Sequence, residues 1–387
     1  MGLNLATDAG YLAAVKPLFG DGLVEAIEWD LDSRWVVIGE SADLPSWLRQ
    51  VLNLYAADGR LYGHSVWLSV LTALTQQRQE NWIQRIGHEC AQRPYRHICE
   101  HHGFMSAGPF VVGPLLPVPF VASAVEVGRE RLSKLAEVTG VAIGLENLAS
   151  ALSPLDATLQ PAFLESMLAP TEGIILLDIH NVYTQAVNLK MNPSELLARL
   201  VSKRVRELHV SGGRWVDIEG LPYRFDGHNG PVPEQVFALA AEALSLCPNV
   251  EVVIFERRAN SLQSDVDTEG LRADYRRLVQ VVHSTPNLEA PTTANGDHPA
   301  PAATCRAEKL FPDRKDLARY QDALIEALAL KLPSREQQDR LYAHPATEPV
   351  RDYIASFVPR CVAAMSLLVR RWGRTAADLA TEGIVAR

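Results

Sequence analysis

The stretch GIILLDIHN, residues 173–181, shows the pattern that decides the fold, because an apolar run ends there in a carboxylate, Asp178. A strand that is apolar through its whole length is typical of parallel strands covered on both faces. The stretch VAIGLEN, residues 141–147, repeats the pattern and ends with Glu146. A carboxylate in such a partly buried place needs a cation or hydrogen bonds to stay charged. Both stretches therefore indicate a polar site at the ends of buried strands.

Similar runs alternate with helix-like stretches along most of the chain. The strand-like runs are 24–29, 59–64, 97–101, 141–146, 173–178, 205–210 and 251–256. The helix-like stretches are 79–92, 122–139, 161–168, 193–201, 233–246 and 268–283. Pro161, Pro193 and Pro233 each fit the first turn of a helix, where a missing N–H does no harm. The alternation predicts an α/β fold, either a TIM-type (β/α)8 barrel or a doubly wound sheet, and polar residues at the strand ends favour the barrel.

Nine side chains of metal-binding types lie in this part of the chain, most of them at or just after the end of a strand-like run. They are His64, His101, Glu146, Asp178, Asn181, His209, Asp226, His228 and Glu256. Because barrel strands point their carboxyl ends at one mouth, residues far apart in sequence converge there. Several carboxylates and imidazoles without cysteine suit more than one hard or borderline divalent ion, such as iron, manganese or zinc.

Each of these residues also has a structural explanation when it is considered alone. A carboxylate after a strand, such as Asp178, can cap a helix, and Asn181 can stabilise a tight turn. His101 and His102 are adjacent and point to opposite sides of a strand, so only His101 is expected to face the barrel axis. The ordered series favours a shared site, because chance does not readily place a polar ligand at the end of nearly every buried strand.

A linker-like composition marks the domain boundary: segment 284–303 has four prolines, many small polar residues and almost no large apolar ones. It divides a predicted metal-binding barrel, residues 1–283, from a predicted small α-helical domain, residues 304–387. The first helix of that domain carries an apolar stripe at Leu317, Tyr320, Leu324 and Leu328. A second helical stretch, 350–372, is expected to break or kink at Pro359.

Charge and composition argue against several classes of function. The net charge of −9 argues against a nucleic-acid partner, which usually meets a basic surface. No apolar run approaches the length of about 18 residues that spans a bilayer, and the N-terminal stretch lacks the pattern of a secretory signal. The five cysteines are odd in number and have no CxxC spacing, which indicates reduced thiols. We therefore expect a cytoplasmic protein with no membrane or nucleic-acid partner.

The order of the candidate ligands resembles that of the endonuclease IV and xylose-isomerase-like barrels. It is more similar to the multinuclear non-haem iron oxidases that modify ribosomally made peptides, the MbnB/TglH-like family of the methanobactin and 3-thiaglutamate biosynthetic enzymes. The motifs that carry the resemblance are HSVWLS (64–69), CEH (99–101), LEN (145–147), LDIHNVY (177–183) followed by VN (187–188), ELH (207–209), DGH (226–228) and ER (256–257). Asn181 stands where endonuclease IV has a histidine and the peptide oxidases have an asparagine. The resemblance covers about residues 1–285.

The resemblance implies a cofactor of two or three iron ions in mixed Fe(II)/Fe(III) states, with dioxygen as co-substrate. It also implies a precursor peptide as substrate, with a cysteine as the modified residue, in natural-product biosynthesis. We expect His64, His101 and Glu146 at one ion and the other candidate ligands around the remaining ions, with Glu146 and Glu256 as bridges. Asp226, His180 and Tyr183 are the candidate catalytic or positioning residues.

Three positions depart from the family pattern. His180 stands where the family usually has an asparagine, and Arg258 stands where it commonly has an acidic residue. Gly213 stands where family members often have a histidine. These residues lie beside the candidate ligands, so they bear on substrate and outcome more than on the metals.

Members of the family often act with a small partner protein that recruits the leader segment of the peptide. The hypothesis for residues 304–387 is that they do this job or contact such a partner, and the alternative is a stabilising or dimer-forming appendage. Two alternatives remain for the whole chain. One is an endonuclease IV-like, metal-dependent phosphodiester hydrolase, and the other is a non-enzymatic adaptor.

Overall fold

Eight parallel strands form a closed barrel in the computed structural model, which describes residues 1–32, 35, 44–285, 311, 313–375 and 378. The strands of the described residues are β1 Gly2–Asn4, β2 Ala26–Asp30, β3 Leu61–Ser65, β4 His97–His101, β5 Phe110–Val112, β6 Ala142–Glu146, β7 Ile174–Asp178, β8 Val205–Val210, β9 Arg214–Ile218, β10 Leu221–Phe225, β11 Val252–Phe255 and β12 Arg374–Thr375. The barrel order is β1-β11-β8-β7-β6-β4-β3-β2, closing back on β1. Two antiparallel pairs, β9–β10 and β5–β12, lie outside it.

Helices connect the barrel strands and continue after the last of them. The helices of the described residues are α1 Ala9–Gly20, α2 Ser46–Ala57, α3 Gln77–Gln92, α4 Ala122–Thr139, α5 Pro154–Leu168, α6 Ile179–Leu189, α7 Pro193–Leu200, α8 Glu234–Leu246, α9 Asp265–Ser284, α10 Arg314–Ala329, α11 Ser334–Ala343, α12 Arg351–Ala355 and α13 Pro359–Trp372. The prediction of a TIM-type barrel followed by C-terminal helices is confirmed. The barrel contains all seven predicted strands and adds β1, whose three residues are too few to show a pattern.

The prediction for Pro161 is wrong, because this proline lies inside α5 instead of in its first turn. The helix begins about two turns earlier, at Pro154, where Ser153 and Asp156 form a reciprocal capping box. Pro193 does begin α7, whereas Pro233 is the residue just before α8. The start of α5 is therefore marked in the sequence by the Ser-x-x-Asp signal and not by the proline at position 161.

The C-terminal helices pack against the barrel and share its apolar core. The predicted stripe of α10 is buried in that core together with barrel residues. Gln321 of α10 is buried, and it donates to the Leu71 carbonyl at 2.6 Å and accepts from the Ala73 N–H at 2.8 Å. Pro359 begins α13 after a short irregular turn, so the predicted break is confirmed.

The linker predicted at 284–303 lies almost entirely outside the described residues, so the domain boundaries stay a prediction. Within the described ranges, no helix combines the length and the apolar character that crossing a bilayer demands.

The carboxyl ends of the barrel strands meet at one mouth, and the β9–β10 hairpin follows β8 directly at this end. Helix α13 contacts both strands of the hairpin. The ring of Trp372, the last residue of α13, lies 5.9 Å from the ring of Phe225, the last residue of the hairpin. The C-terminal helices therefore reach the rim of the mouth.

Candidate metal centre

The strand register brings the predicted ligands to one level of the barrel. His101 is the register partner of Glu146, and Asp178 is the partner of His209. His64 lies on β3, the strand next to β4. Neighbouring parallel strands are about 4.8 Å apart, so side chains at the same level on the inner face approach each other closely.

His64, His101 and Glu146 form the first group of potential ligands. Glu146 Oε2 lies 2.8 Å from His64 Nε2 and 3.2 Å from His101 Nε2. The two imidazole rings are 4.7 Å apart. One ligand atom from each of the three residues lies within 4.8 Å of the other two, which is close enough to hold a single ion.

Electrostatics keep Glu146 ionised although it is buried. Burial raises its pKa, but the imidazoles of His101 and His64 outweigh burial and hold the pKa below its usual range. Burial also lowers the pKa of His101 to about 4, against the charge of Glu146. A neutral imidazole with a lone pair is the form of histidine that binds metal ions, and the burial of His101 favours that form.

Asp178 caps a helix with one carboxylate oxygen and leaves the other oxygen free of hydrogen bonds to the described residues. Its Oδ1 accepts from the Asn181 N–H at 2.6 Å and so caps α6. Its Oδ2 is buried and has no hydrogen-bond partner among the described residues. Asp178 also forms a second potential ligand group with Glu146 and His209. One oxygen therefore fixes the helix while the other remains available to an ion.

Asn181 lies in the first turn of α6, beside Glu146. Its Nδ2 donates to Glu146 Oε1 at 2.9 Å and to the Asn147 carbonyl at 2.8 Å. This assignment of the amide leaves Oδ1 buried and without a hydrogen-bond partner in the described part of the chain. Oδ1 is the atom of asparagine that binds cations.

Asp178, His228 and Glu256 form a third potential ligand group. Glu256 Oε2 lies 3.6 Å from His228 Nδ1 and 3.1 Å from His209 Nδ1. Burial lowers the pKa of His228, but Asp226 and Glu256 outweigh burial and raise it to about 10. Without an ion, a proton on this imidazole is the cation that balances the two carboxylates.

The residues fit divalent cations, because several of their buried polar atoms have no hydrogen-bond partner among the described residues. Those without a partner among the described residues include His101 Nδ1, Asp178 Oδ2, Asn181 Oδ1, His209 Nδ1 and Glu256 Oε2. His209 Nδ1 and Glu256 Oε2 lie 3.1 Å apart, which is close enough for one ion to bind both atoms. Buried polar groups without partners are rare and costly, and an ion would satisfy them.

The structure brings seven of the nine predicted residues together in the linked groups described above, while Asn181 joins them through Glu146 and Asp226 borders them through His228. Asp226 Oδ1 lies 3.1 Å from His228 Nε2 and 2.8 Å from His180 Nδ1. As predicted, His101 faces the site and His102 points away, where its ring packs against Phe163.

Glu28 is a buried carboxylate of the site that the sequence analysis missed. Its Oε1 lies 3.0 Å from His209 Nε2, and its Oε2 accepts from Asn4 Nδ2 at 2.8 Å. Glu28 also forms a potential ligand group with His64 and His209. It lies in the middle of β2 rather than at the end of the strand, so a search of strand ends passes over it. Glu28 and Asp30 lie two residues apart in that strand, and this pair of acidic residues on one face is the sequence pattern that indicates the site.

His180 is held in one tautomer by its two neighbours. Arg224 donates to His180 Nε2 from Nη2 at 3.0 Å, so Nε2 carries the lone pair and Nδ1 carries the hydrogen. Nδ1 therefore donates to Asp226 Oδ1 at 2.8 Å. Burial lowers the pKa of His180 against the influence of Asp226, which is consistent with a neutral ring. The guanidinium of Arg224 also lies 5.7 Å from the ring centre of Tyr183.

Two departures from the family pattern are neighbours in space. A Cβ atom at Gly213 would lie 3.0 Å from His180 Cε1 and 2.1 Å from the Phe225 carbonyl oxygen. The imidazole of His180 therefore fills the space beside Gly213. Gly213 also permits the close approach of the chain that carries Asp226.

Gly213→Ala is expected to lower the free energy of unfolding by about 1–3 kcal/mol, because the added methyl group overlaps backbone atoms that cannot rotate away. The displaced backbone carries Asp226, so oxygen uptake with the peptide should fall as well. Thermal unfolding and oxygen-electrode traces measure the two effects. Gly270→Ala is the matched control, since its added Cβ has open space around it. Gly270 lies inside α9, where alanine stabilises a helix better than glycine does, so this variant should lose no stability. Equal stability of the two variants would contradict this prediction.

Comparison with known proteins establishes the family. The sequence model described as "RiPP precursor modification enzyme MbnB/TglH/ChrH" matches residues 35–273, which is more than half of the chain. The chain belongs to this family. RiPP denotes a ribosomally synthesised and post-translationally modified peptide. The matched range contains all nine candidate ligands and the hairpin at the mouth.

Curated relatives of the family are similar over part of their length. A UPF0276 protein of Acaryochloris marina is 31% identical over 149 residues, which cover 38% of this chain and 52% of the relative. A UPF0276 protein of Streptomyces avermitilis is 25% identical over 285 residues, which cover 63% of this chain and 58% of the relative. The chain thus spans about half the length of the curated relatives it matches, and their names assign no activity.

Solved structures share the barrel fold. Endonuclease IV from Thermus thermophilus aligns with a TM-score of 0.47 and 17% identity, covering 72% of this chain and 98% of that chain. A xylose isomerase-like TIM barrel protein from Mycobacterium smegmatis, in complex with magnesium, aligns with a TM-score of 0.41 and 13% identity, covering 71% and 91% of the two chains. At this distance the likeness concerns the fold alone.

Proposed function

We propose that this chain is a multinuclear non-haem iron oxidase that uses dioxygen to modify a cysteine of a ribosomally synthesised precursor peptide. Membership of the family supports the precursor peptide, and the resemblance of the ligand series supports iron, dioxygen and cysteine. The observation that carries the proposal is the set of linked ligand groups at the mouth, in which several buried oxygen and nitrogen atoms have no hydrogen-bond partner among the described residues.

The proposed ligands divide among two or three ions. His64, His101 and Glu146 would hold one ion. A second position lies among Glu146, Asp178 and His209, and a third among Asp178, His228 and Glu256. Glu146 and Asp178 each belong to two of these groups, so they are the carboxylates best placed to bridge, alongside the expected Glu256. Asn181 would add its free Oδ1.

The bound ions would supply one-electron chemistry and the activation of dioxygen, and the protein supplies the surroundings. Carboxylates and neutral imidazoles accept both Fe(II) and Fe(III). The burial of His64, Asp178 and His209 keeps bulk water away from the reacting groups. Asp226 lies as a carboxylate at the edge of the site, and the Nδ1–H of His180 fixes its orientation.

Metal analysis of protein purified under low oxygen tests the proposal. We expect two or three iron ions per chain, and oxygen uptake that depends on a short cysteine-containing peptide encoded beside the gene. Fewer than one iron or zinc ion per chain after supplementation would contradict it. Cleavage of abasic-site DNA by zinc-loaded protein, without dioxygen, would instead identify a phosphodiester hydrolase.

The C-terminal helices are proposed to help recruit the peptide, directly or with a small partner protein. Trp372 is 36% exposed and lies against Phe225, which immediately precedes Asp226. Trp215 and Leu221 of the β9–β10 hairpin are also exposed large apolar residues. An apolar surface beside the mouth is suited to hold a segment of peptide while another segment enters the site.

Trp372→Ala is expected to raise the KM for the peptide about 10-fold, because an aromatic side chain in a peptide interface often contributes more than 1 kcal/mol. Iron content should not change, since Trp372 is not one of the proposed ligands. Tyr342→Ala is the matched control, because Tyr342 is an exposed aromatic residue of the same helical region, 44% exposed, on α11. An unchanged KM, or an equal change in the control, would argue against a role of this surface.

A further inference from the structure

The inner face of β4 carries polar side chains at three levels of the barrel. Successive residues of a strand alternate between its faces, so His97, Cys99 and His101 point the same way. His101 lies at the mouth, and His97 is four residues below it, about 13 Å along the strand. Glu207 and His209 repeat this arrangement on β8. The lower residues form a separate group beneath the candidate metal centre.

The lower group consists of His97, Cys99 and Glu207. His97 Nε2 lies 2.7 Å from Glu207 Oε2, and Cys99 Sγ lies 3.6 Å from the same oxygen. His97 is 3% exposed, and Cys99 and Glu207 are completely buried. The three ligand atoms all lie within 4.8 Å of one another.

We propose that His97, Cys99 and Glu207 form a second, separate metal site, which binds one divalent ion of zinc type inside the barrel. Imidazole, thiolate and carboxylate are the three side chains that zinc ions bind in proteins. The proposed iron ligands at the mouth include no sulfur, so the two sites differ in the metals they prefer.

The distances agree with an ion at the centre of the group. Bonds of about 2.0 Å to oxygen and nitrogen and 2.3 Å to sulfur place tetrahedral ligands about 3.3–3.5 Å apart. The distance from Cys99 Sγ to Glu207 Oε2 is already close to this value, at 3.6 Å. The contact between His97 and Glu207 would open by about half an ångström when an ion replaces the proton between them.

The second carboxylate oxygen of Glu207 also indicates a missing ligand at this site. Glu207 Oε1 has no hydrogen-bond partner among the described residues and lies 3.6 Å from His209 Nε2. A carboxylate this deep needs compensation of its charge, which the imidazoles of His97 and His209 supply in the absence of an ion. A divalent ion bound through Glu207 would supply it and would also tie the lower site to His209 at the mouth.

The barrel leaves room for the sulfur atom at this level. Gly144 is the register partner of Cys99 on the neighbouring strand, and a Cβ there would lie 2.4 Å from Cys99 Sγ. Any other residue at position 144 would thus compete with the sulfur for the same space. On the other side, the ring of Tyr62 packs edge-on against His97, with 4.9 Å between the ring centres, and holds the imidazole in place.

Cobalt substitution tests the proposal. Cobalt(II) bound to a thiolate absorbs strongly in the near ultraviolet, whereas cobalt bound only to nitrogen and oxygen does not. We expect this absorption in the wild-type chain loaded with cobalt(II) in the absence of added thiols. Cys99→Ser should abolish it and lower the bound cobalt by about one ion per chain. Cys247→Ser, which removes another buried thiol, should leave both unchanged.

A variant that keeps Cys99 as its only cysteine is the control for the case that Cys99→Ser misfolds. It replaces Cys90, Cys247, Cys305 and Cys361 by serine and should retain the full thiolate absorption. A cobalt-loaded wild type without this absorption, or absorption that survives in Cys99→Ser, would overturn the proposal. Either result leaves the iron content of the mouth unaffected, so it does not bear on the proposed oxidase function.

Discussion

Glu146→Gln is expected to remove most of the metal from the mouth and to lower oxygen uptake with the peptide by at least about 100-fold. The Glu146 carboxylate contacts His64, His101 and Asn181 together. Replacing even the outer partners of metal ligands typically costs about 10–100-fold in affinity or activity, and Glu146 is proposed as a ligand itself. Iron analysis and oxygen-electrode traces measure the two losses.

The Glu146→Gln variant is expected to lose metal because it lacks the negative charge of Glu146, not because the side chain changes shape. Glutamine has nearly the same size as glutamate, but it cannot bring a negative charge to two ions and offers one acceptor oxygen in place of two. Without that charge, the imidazoles of His64 and His101 face each other with their rings 4.7 Å apart and no anion between them. We therefore expect loss of metal while the barrel stays folded, as judged by circular dichroism.

Glu165→Gln is the matched control for this experiment. Glu165 lies on α5, its side chain is 42% exposed, and it pairs with Arg204 on the outside of the barrel. Loss of its charge should cost little, as is usual for an exposed ion pair. A Glu146→Gln variant with the iron content of the control would remove Glu146 from the proposed ligand set.

The sequence was sufficient to predict the barrel and to place the polar residues of the strand ends at its mouth. A buried strand of an α/β protein must be apolar, so a carboxylate or imidazole at its end stands out, as Asp178 and Glu146 do. The common direction of the strands then places these residues together without knowledge of any distance.

Residues inside the strands could not be predicted in the same way. Glu28, His97 and Cys99 point into the barrel from within their strands, and nothing in a single sequence separates an inward polar residue from an outward one. The face depends on the register, and a shift by one residue exchanges the two faces. Glu207 lies two residues before His209 and so shares its face of the strand, but its partner His97 lies 110 positions away.

Asp178 shows why the structural and functional explanations of a residue need not exclude each other. The sequence left open whether it caps a helix or faces an ion. The structure assigns one oxygen to the Asn181 N–H and leaves the other without a hydrogen-bond partner among the described residues. A capped helix start holds the carboxylate rigidly, which is what a metal ligand requires.

The second large effect is expected at His180, where two substitutions of similar size should differ sharply. His180→Leu should lower kcat by about 10–100-fold, because Asp226 loses the Nδ1–H that orients it. His180→Asn should retain most of the activity, since the amide nitrogen of asparagine reaches about as far as Nδ1 of histidine and can donate to the same oxygen. The family pattern, with asparagine common at this position, is consistent with that exchange.

Iron content and KM separate positioning from binding in this pair of variants. His180 lies outside the potential ligand groups of the described residues, so both variants should keep the iron of the wild type and a similar KM for the peptide. Arg224 loses its acceptor on His180 in both variants, so that contact cannot explain a difference between them. Equal loss in both would therefore assign the role to the ring or to Arg224, and full activity of His180→Leu would show that Asp226 needs no donor from position 180.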